Sequence, residues 1–296
     1  MIRARELTKT YRNTPVLRGV TLDVSQGTIH GFVGPNGAGK STFLKCLVGV
    51  VHPDSGEITV DGLDARRRSL AVRSRVGYAP AETSLYHRMK AGELLDFAIR
   101  YHPSPDLQRG LQLLEQLEVP SRRRVGELSH GMKRKVLLAQ AIASNAPVMI
   151  LDEPMEALDP EARRIVEDLL RKEASSGRTV FLSSHDLYST QRLCSRVTFL
   201  HRGRVLRDGP VHDLLKGIPG RLHIQFRESM SASRLPSSEG LEWSGVDINW
   251  QVRFHCPLEK VMAQIASLPI ASVRDDGGHL EDLFEDLYQA EVGVDS

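Results

Sequence analysis

Gly34-Pro35-Asn36-Gly37-Ala38-Gly39-Lys40-Ser41-Thr42 fills every fixed position of G-x-x-x-x-G-K-[ST], a pattern whose chemistry is the grip on a polyphosphate. Glycines let the main chain wrap closely around a triphosphate, and successive N–H groups at a helix N-terminus face its charge. Lys40 has the reach to meet the β- and γ-phosphates, and Ser41 offers a hydroxyl ligand for Mg²⁺. A second constellation, Val148-Met149-Ile150-Leu151-Asp152-Glu153-Pro154, is an apolar run that delivers two adjacent carboxylates at its end. Alone, such a pair can simply cap a helix. With a phosphate loop beside it on the same sheet, Asp152 reads as a Mg²⁺ ligand acting through water, and Glu153 as the group that orients and polarises an attacking water.

These side chains need a strand before the loop and a helix after it. Thr28 to Val33 reads as a short apolar strand, and Lys40 to Gly49 as the helix. Upstream, Val20, Leu22 and Val24 alternate with Thr21 and Asp23, the signature of antiparallel β structure. A strand from Glu57 to Val60 closes on the turn pair Asp61-Gly62. Between Leu85 and Ala146 the period lengthens, with Leu107, Leu111, Leu114 and Leu117 on one helical face. Strands at Val148–Leu151, Thr179–Leu182 and Val197–Leu200 then alternate with helices at Arg163–Glu173 and from about Asp186, which implies a mainly parallel sheet. After the linker candidate KGIPG at Lys216 to Gly220 the character changes. Leu222, Ile224 and Phe226 alternate, as do Ile248, Trp250, Val252, Phe254 and Cys256, and helices are expected at Leu258–Ile265 and Leu280–Tyr288.

With 41 % apolar, 26 % charged and 5 % aromatic residues in 296, the chain is neither disordered nor fibrous. Lys plus Arg number 39 against 37 Asp plus Glu, so the net charge of +2 carries no footprint for nucleic acid. Cys46, Cys194 and Cys256 are odd in number and far apart, which argues against a disulfide framework and for a reducing cytoplasm. No segment approaches the ~20 apolar residues that cross a bilayer, and MIRARELTKTY lacks a secretory apolar stretch. Any membrane role is therefore expected to come through a partner. The arginines at 66–68, 73 and 75 and those at 122–124 read as solvated surface rather than as a lipid or permease contact.

Leu128-Ser129-His130-Gly131-Met132 opens a helix with Met132, Val136 and Ala139 on its apolar face and Ser129 as a natural N-cap. Its first turn carries Lys133, Arg134 and Lys135, cations that oppose the helix dipole unless an anion lies nearby. They read either as a phosphate grip or as a solvated basic face. In this company, GPNGAGKST at 34–42, LSHGM at 128–132, ILDEP at 150–154, ALDP at 157–160 and SSH at 183–185 resemble, in order and separation, the motifs of the nucleotide-binding subunit of an ABC transporter.

The resemblance covers roughly residues 1–210 and implies an α/β fold: a P-loop NTPase core with an N-terminal antiparallel β subdomain and a helical subdomain at about 84–146, together spanning 1–217. A small α+β domain is expected over 218–296. The implied activity is ATP hydrolysis that drives a separate integral membrane permease, in the direction of export, from the inner face of the cell membrane. ATP and Mg²⁺ are the implied ligands, a second copy of the chain the implied partner, and nucleic acid is not expected. Residues 34–42 would hold the ATP of one copy, while Ser129 and Gly131 would contact the γ-phosphate held by the other. Asp159 would couple the two sites, His185 would meet the γ-phosphate and the attacking water beside Lys40 and Glu153, and Tyr11 falls where the family stacks an aromatic on adenine.

Departures stand out. The family's Gln or Glu after G-Y-x-P reaches Mg²⁺, but here Gly77-Tyr78-Ala79-Pro80 is followed by Ala81, so Glu82 is the candidate substitute. His130 and Met132 replace a usual glycine and glutamine, and LSxGM variants resemble exporter subunits. Leu280-Glu281-Asp282-Leu283-Phe284 resembles a closing motif of bacterial exporter ATPases. The alternative class, a soluble ABC-type ATPase acting on DNA or ribosomes, is opposed by the single nucleotide module, the lack of sustained heptads and the near-neutral charge. A guanine-reading N-K-x-D sequence is also absent.

Overall fold

The computed structural model describes residues 1–82, 85–216, 218–238 and 240–294, with the backbone alone at 286 and 289–294. The expected subdomain start at 84 and domain end at Gly217 lie outside the described residues. The chain divides into two compact units, Met1–Pro210 and Val211–Ser296.

The first unit begins with β1 (Ile2–Tyr11), β2 (Thr14–Val24), β3 (Ile29–Val33), α1 (Lys40–Leu47), β4 (Ser55–Val60), β5 (Leu63–Asp64), α2 (Ser69–Arg73) and β6 (Val76–Ala79). A helical stretch follows: α3 (Ala91–Ile99), α4 (Leu107–Gln116) and α5 (His130–Ala143). Then come β7 (Val148–Asp152), α6 (Pro160–Ser175), β8 (Thr179–Ser184), α7 (Leu187–Leu193), β9 (Arg196–His201) and β10 (Arg204–Pro210).

An antiparallel sheet runs β2-β1-β4-β5, and a six-stranded sheet runs β10-β9-β3-β8-β7-β6. In the second sheet β9, β3, β8, β7 and β6 are parallel and β10 is antiparallel to β9. In β2 the alternation is as expected, with Val20, Leu22 and Val24 buried and Thr21 and Asp23 exposed. By contrast β3, β7 and β8 are buried along their whole length, because a parallel sheet is covered on both faces and needs continuous apolar runs. Asp61 and Gly62 both adopt positive φ, 51° and 74°, the geometry that closes the β4–β5 hairpin. The strands β6 and β10 were not foreseen in the pattern. Of the expected stripe, Leu114 and Leu117 are buried, Leu111 is half-buried and Leu107 is exposed at the start of α4, whose buried face also takes in Gly110 and Leu113.

Phe32 of β3, Phe43 of α1 and Phe181 of β8 meet with ring centroids 4.8, 5.5 and 6.0 Å apart. That cluster fastens the helix following the phosphate loop to the strands on which the loop is mounted.

The second unit contains α8 (Val211–Leu214), β11 (Gly220–Phe226), β12 (Leu241–Val246), β13 (Asn249–Phe254), α9 (Leu258–Ile265), β14 (Ile270–Asp275) and α10 (Leu280–Val294). Its sheet, β12-β13-β11-β14, is antiparallel throughout. Leu222, Ile224, Phe226, Trp250, Val252 and Phe254 supply one buried face, joined by Val261 and Ile265 of α9.

A polar group lies within the first unit's core. His30 of β3 is fully buried, and its Nε2 is 2.8 Å from Thr198 Oγ1, whose hydroxyl donates at 2.7 Å to Asp208 Oδ1. Since the threonine proton is committed to Asp208, His30 must donate from Nε2. Burial lowers its pKa to about 4, with Asp208 pulling upward and Arg196 downward. A histidine that titrates lower when folded favours the native state above pH 6.5 and loses that advantage as pH falls from 6.5 toward 4. A His30→Gln protein, which lacks this proton, should show urea-unfolding stability that declines less steeply across that interval, by up to about 3 kcal/mol at its acid end.

Candidate functional site

Gly39 shows why the loop is written in glycines. It adopts φ 108°, and a Cβ there would stand 2.8 Å from the Val16 carbonyl oxygen. The turn releases the chain directly into α1, so Lys40, Ser41 and Thr42 form a helix first turn with unpaired N–H groups. Pro35 to Thr42 line a cleft of about 450 Å³, together with Val16, Ala81, Glu153, Glu156 and His185. Lys40 is 6 % exposed; its Nζ donates to the Gly34 carbonyl at 2.6 Å and lies 3.4 Å from Glu153 Oε1.

The loop on β3 and the carboxylates on β7 are not on neighbouring strands: β8 lies between them. The register pairs Val33 with Ser184 and Asp152 with Ser183, which brings all three carboxyl ends to one level. Ser183 Oγ donates to Asp152 Oδ1 at 2.5 Å and accepts from the Glu153 amide at 2.9 Å. Glu153 itself takes φ 50°, a left-handed conformation that costs a non-glycine residue about 1–2 kcal/mol. His185, just past β8, has its amide and its Nδ1 at 3.3 and 3.0 Å from Glu153 Oε2. Glu153 Oε1 is buried with no hydrogen-bond partner among the described residues, so Lys40 and the cleft are what it faces.

The basic first turn of α5 departs from a solvated face at two of its three cations. Arg134 is fully buried. It donates through Nη1 to the Pro80 and Asp152 carbonyls at 2.6 and 3.2 Å and through Nη2 to the Ala81 carbonyl at 2.7 Å. Glu156 Oε2 lies 3.5 Å from Nη2. Burial lowers the guanidinium pKa, opposed by the carboxylates of Glu156, Asp152 and Glu153. Lys135 is also mostly buried and reaches Asp159 at 3.7 Å. No sequence signal distinguished Arg134 from its basic neighbours.

Glu82, the candidate substitute for the missing Gln, does not line this cleft. Its side chain points to Lys45 at 3.2 Å and is 74 % exposed, while Ala81 is the residue that lines the cleft.

Tyr11, Ser129, Gly131 and Asp159 do not line this cleft. Tyr11 is 43 % exposed with the Lys9 ammonium 5.4 Å from its ring centroid. Ser129 is exposed and caps α5 by accepting from the Met132 amide at 3.2 Å. Gly131 is where the chain passes the Ala157 carbonyl so closely that a Cβ would lie 2.6 Å from its oxygen. Asp159 caps α6 by accepting from the Ala162 amide at 2.8 Å, which with Lys135 holds its pKa below the usual carboxylate range.

Among the described residues no cluster of three or more His, Cys, Asp or Glu could cage a metal alone. Mg²⁺ does not need one, since it takes one or two protein oxygens plus substrate phosphates and water. Ser41 lines the cleft, and Asp152, 1 % exposed and outside the cleft lining, accepts from Ser183 through Oδ1; both are hard oxygen donors of the kind that a Mg²⁺ on a triphosphate takes.

Comparison with known proteins agrees with this geometry. The ABC transporter family profile matches residues 17–156. The chain is 37 % identical over 217 residues to a Nod factor export ATP-binding protein I of Burkholderia orbicola (strain AU 1054), covering 72 % of this chain and 71 % of the other. It is 36 % identical over 248 residues to the protein of that name from Rhizobium meliloti (strain 1021), covering 81 % and 74 %. Among solved structures, the ATP-binding subunit of an ABC transporter superposes with TM-score 0.68 at 29 % identity, over 72 % of this chain and 91 % of that one. A dimeric bacterial ABC transporter cassette does so with TM-score 0.66 at 26 % identity, over 71 % and 99 %. With a phosphate loop, a carboxylate pair and a histidine assembled on one sheet edge, and relatives matched over most of its length, this chain belongs to the family of ABC transporter ATP-binding subunits.

Proposed function

We propose that this protein hydrolyses ATP, with Mg²⁺, as the energy-supplying homodimer of a membrane exporter. The observation that carries the reading is the meeting of Lys40, Glu153 and His185 at the phosphate loop. A γ-phosphate seated in residues 34–42 competes with Glu153 for the Lys40 ammonium. Glu153 is then left to take the proton of an attacking water, with His185 holding its other oxygen in place. When bound, Mg²⁺ supplies charge neutralisation for the β- and γ-phosphates; Ser41 and Asp152 are the residues that would hold it. Ser129 and Gly131, outside the chain's own cleft, are assigned to the nucleotide of the second copy, with Asp159 between the two sites and Tyr11 toward the adenine.

The relatives are named for export, which favours transport over action on DNA or ribosomes. Among the described residues no helix is long and apolar enough to cross a membrane, so the permease is a separate chain in this reading and the protein works at the inner membrane face. A groove of about 380 Å³ offers a seat for such a partner. It is lined by Val50, Leu70, Tyr78 and Tyr101, and Leu70 and Tyr101 are 76 % and 69 % exposed.

Copurification from solubilised membranes should bring down one dominant hydrophobic subunit; nucleic acid or ribosomal proteins in its place would refute the transport role. By titration calorimetry, Lys40→Ala should bind ATP roughly 10- to 100-fold more weakly, the loss expected for a charged hydrogen-bonding group. Glu153→Gln should still bind ATP and dimerise, with turnover about 10²- to 10⁴-fold slower in a phosphate-release assay. Glu82→Ala should leave the turnover and its Mg²⁺ dependence within about twofold of wild type, because an exposed ion pair with Lys45 is all that it removes.

A further inference from the structure

The last register pair between β6 and β7 is Ala79 with Leu151. The ladder stops there in part because Pro80, next in line, has no N–H to offer. Two parallel strand ends would part at this point, with the Asp152 carbonyl buried and those of Pro80 and Ala81 partly so. Arg134 closes the gap from α5: its Nη1 reaches both the Pro80 and the Asp152 carbonyls, and its Nη2 the Ala81 carbonyl. Taking a guanidinium wholly out of water is costly unless its N–H groups are met; here the two terminal nitrogens are met by these carbonyls, while the buried Nε has no hydrogen-bond partner among the described residues.

The acceptor on β7 matters most. The Asp152 carbonyl and the Glu153 amide belong to one peptide unit. Arg134 holds its oxygen at 3.2 Å and Ser183 holds its N–H at 2.9 Å. The plane of that unit is pinned from both sides immediately before Glu153 turns into the left-handed region at φ 50°. A rotation of the unit that the adjoining ψ and φ did not offset would swing the Glu153 carboxylate away from Lys40 and His185.

We propose that Arg134 is a positioning residue for Glu153, and that it ties the orientation of that carboxylate to the Pro80–Ala81 loop. The idea rests on Glu153 acting on the attacking water, as argued above. A displacement of the loop after β6 pulls the guanidinium, and the guanidinium carries the Asp152–Glu153 peptide with it. In this chain, where position 81 has no side chain able to reach the nucleotide, the main-chain carbonyls would carry that link instead.

The test is a double-variant cycle on the full chain, with Arg134→Lys and Arg134→Gln each made alone and combined with Glu153→Gln, and with thermal unfolding recorded for all. Lysine keeps the charge but cannot present two nitrogens in a fork. Each single Arg134 variant should lose at least about tenfold in kcat with KM for ATP within about threefold, since the loop at 34–42 is untouched. In the Glu153→Gln background the same changes should lower single-turnover hydrolysis by no more than about twofold, because the group being positioned is already gone. Multiplying losses in the two backgrounds would show that Arg134 acts independently of Glu153 and would overturn the proposal. So would wild-type kcat in Arg134→Lys, or failure of both Arg134 variants to fold, which would assign the guanidinium to stability alone. If Glu153→Gln alone keeps wild-type turnover, the prior reading of Glu153 fails instead.

Discussion

A single serine hydroxyl sets the geometry on which the cleft depends. Ser183 donates to the Asp152 carboxylate and accepts from the Glu153 amide, so one oxygen on β8 fixes Asp152 at the end of β7 and Glu153 just after it. It can do so because the sheet order inserts β8 between the strand that carries the phosphate loop and the strand that carries the carboxylates. Two strand spacings, about 10 Å, then separate loop from carboxylates. Across that distance the side chains of Lys40 and His185 both reach the Glu153 carboxylate, at 3.4 and 3.0 Å. The left-handed backbone at Glu153 is the strain this arrangement holds, and the hydrogen bonds on the preceding peptide unit offset it.

How much of this could be read from the chain alone follows from how local each signal is. The loop at 34–42 was legible because its glycines, lysine and serine act through main-chain geometry that the motif itself dictates. The buried strands β3, β7 and β8 announced themselves as unbroken apolar runs, and β2, β11 and β13 by their alternation. The strands that escaped notice share a cause. β12 and β14 lie at the two edges of their sheet, and β10 and β6 at the edges of theirs, so β10, β12 and β14 are mostly exposed or half-buried and need no apolar pattern. β6 is short, and two of its residues are Gly77 and Tyr78. The break between the compact units falls at Pro210–Val211, ahead of the glycine- and proline-rich stretch, so α8 belongs to the second unit.

Arg134 was illegible for a different reason. Lys133, Arg134 and Lys135 are alike as letters, but successive helical residues point about 100° apart, so three like charges in a row cannot share an environment. In an ordinary surface helix one of them would turn toward solvent-facing neighbours at little consequence. Here α5 is buried from Arg134 through Ala143, and the inward guanidinium meets carbonyls that no strand can pair. A buried cation in such a place is specified by its acceptors, which lie about 50 residues upstream and about 20 downstream in the chain, beyond the reach of any local pattern.

The opposite end of α5 is held by the same kind of group, and this completes the logic of the helix. Arg178, at the start of β8, donates through Nε to the Ala146 carbonyl at 2.7 Å, through Nη1 to Ile142 at 3.0 Å and through Nη2 to Ala141 at 3.2 Å. Ala141 and Ile142 belong to the last turn of the helix, where carbonyls lack the ordinary helical partner, and Ala146 follows it; a cation is favoured there by the helix dipole. Glu173 of α6 neutralises Arg178 and also bonds Arg109 of α4, so the helical stretch is tied to the parallel sheet at a buried ionic node. The C-terminal node agrees with the dipole and stabilises the helix in place. The N-terminal one opposes the dipole and is justified by the strand ends it joins. A rod of 14 residues, about 21 Å long, is thereby gripped at both ends by strands of the nucleotide sheet. Ser129, the N-cap of that rod, is therefore held in register with the strand ends that carry Asp152 and Pro80.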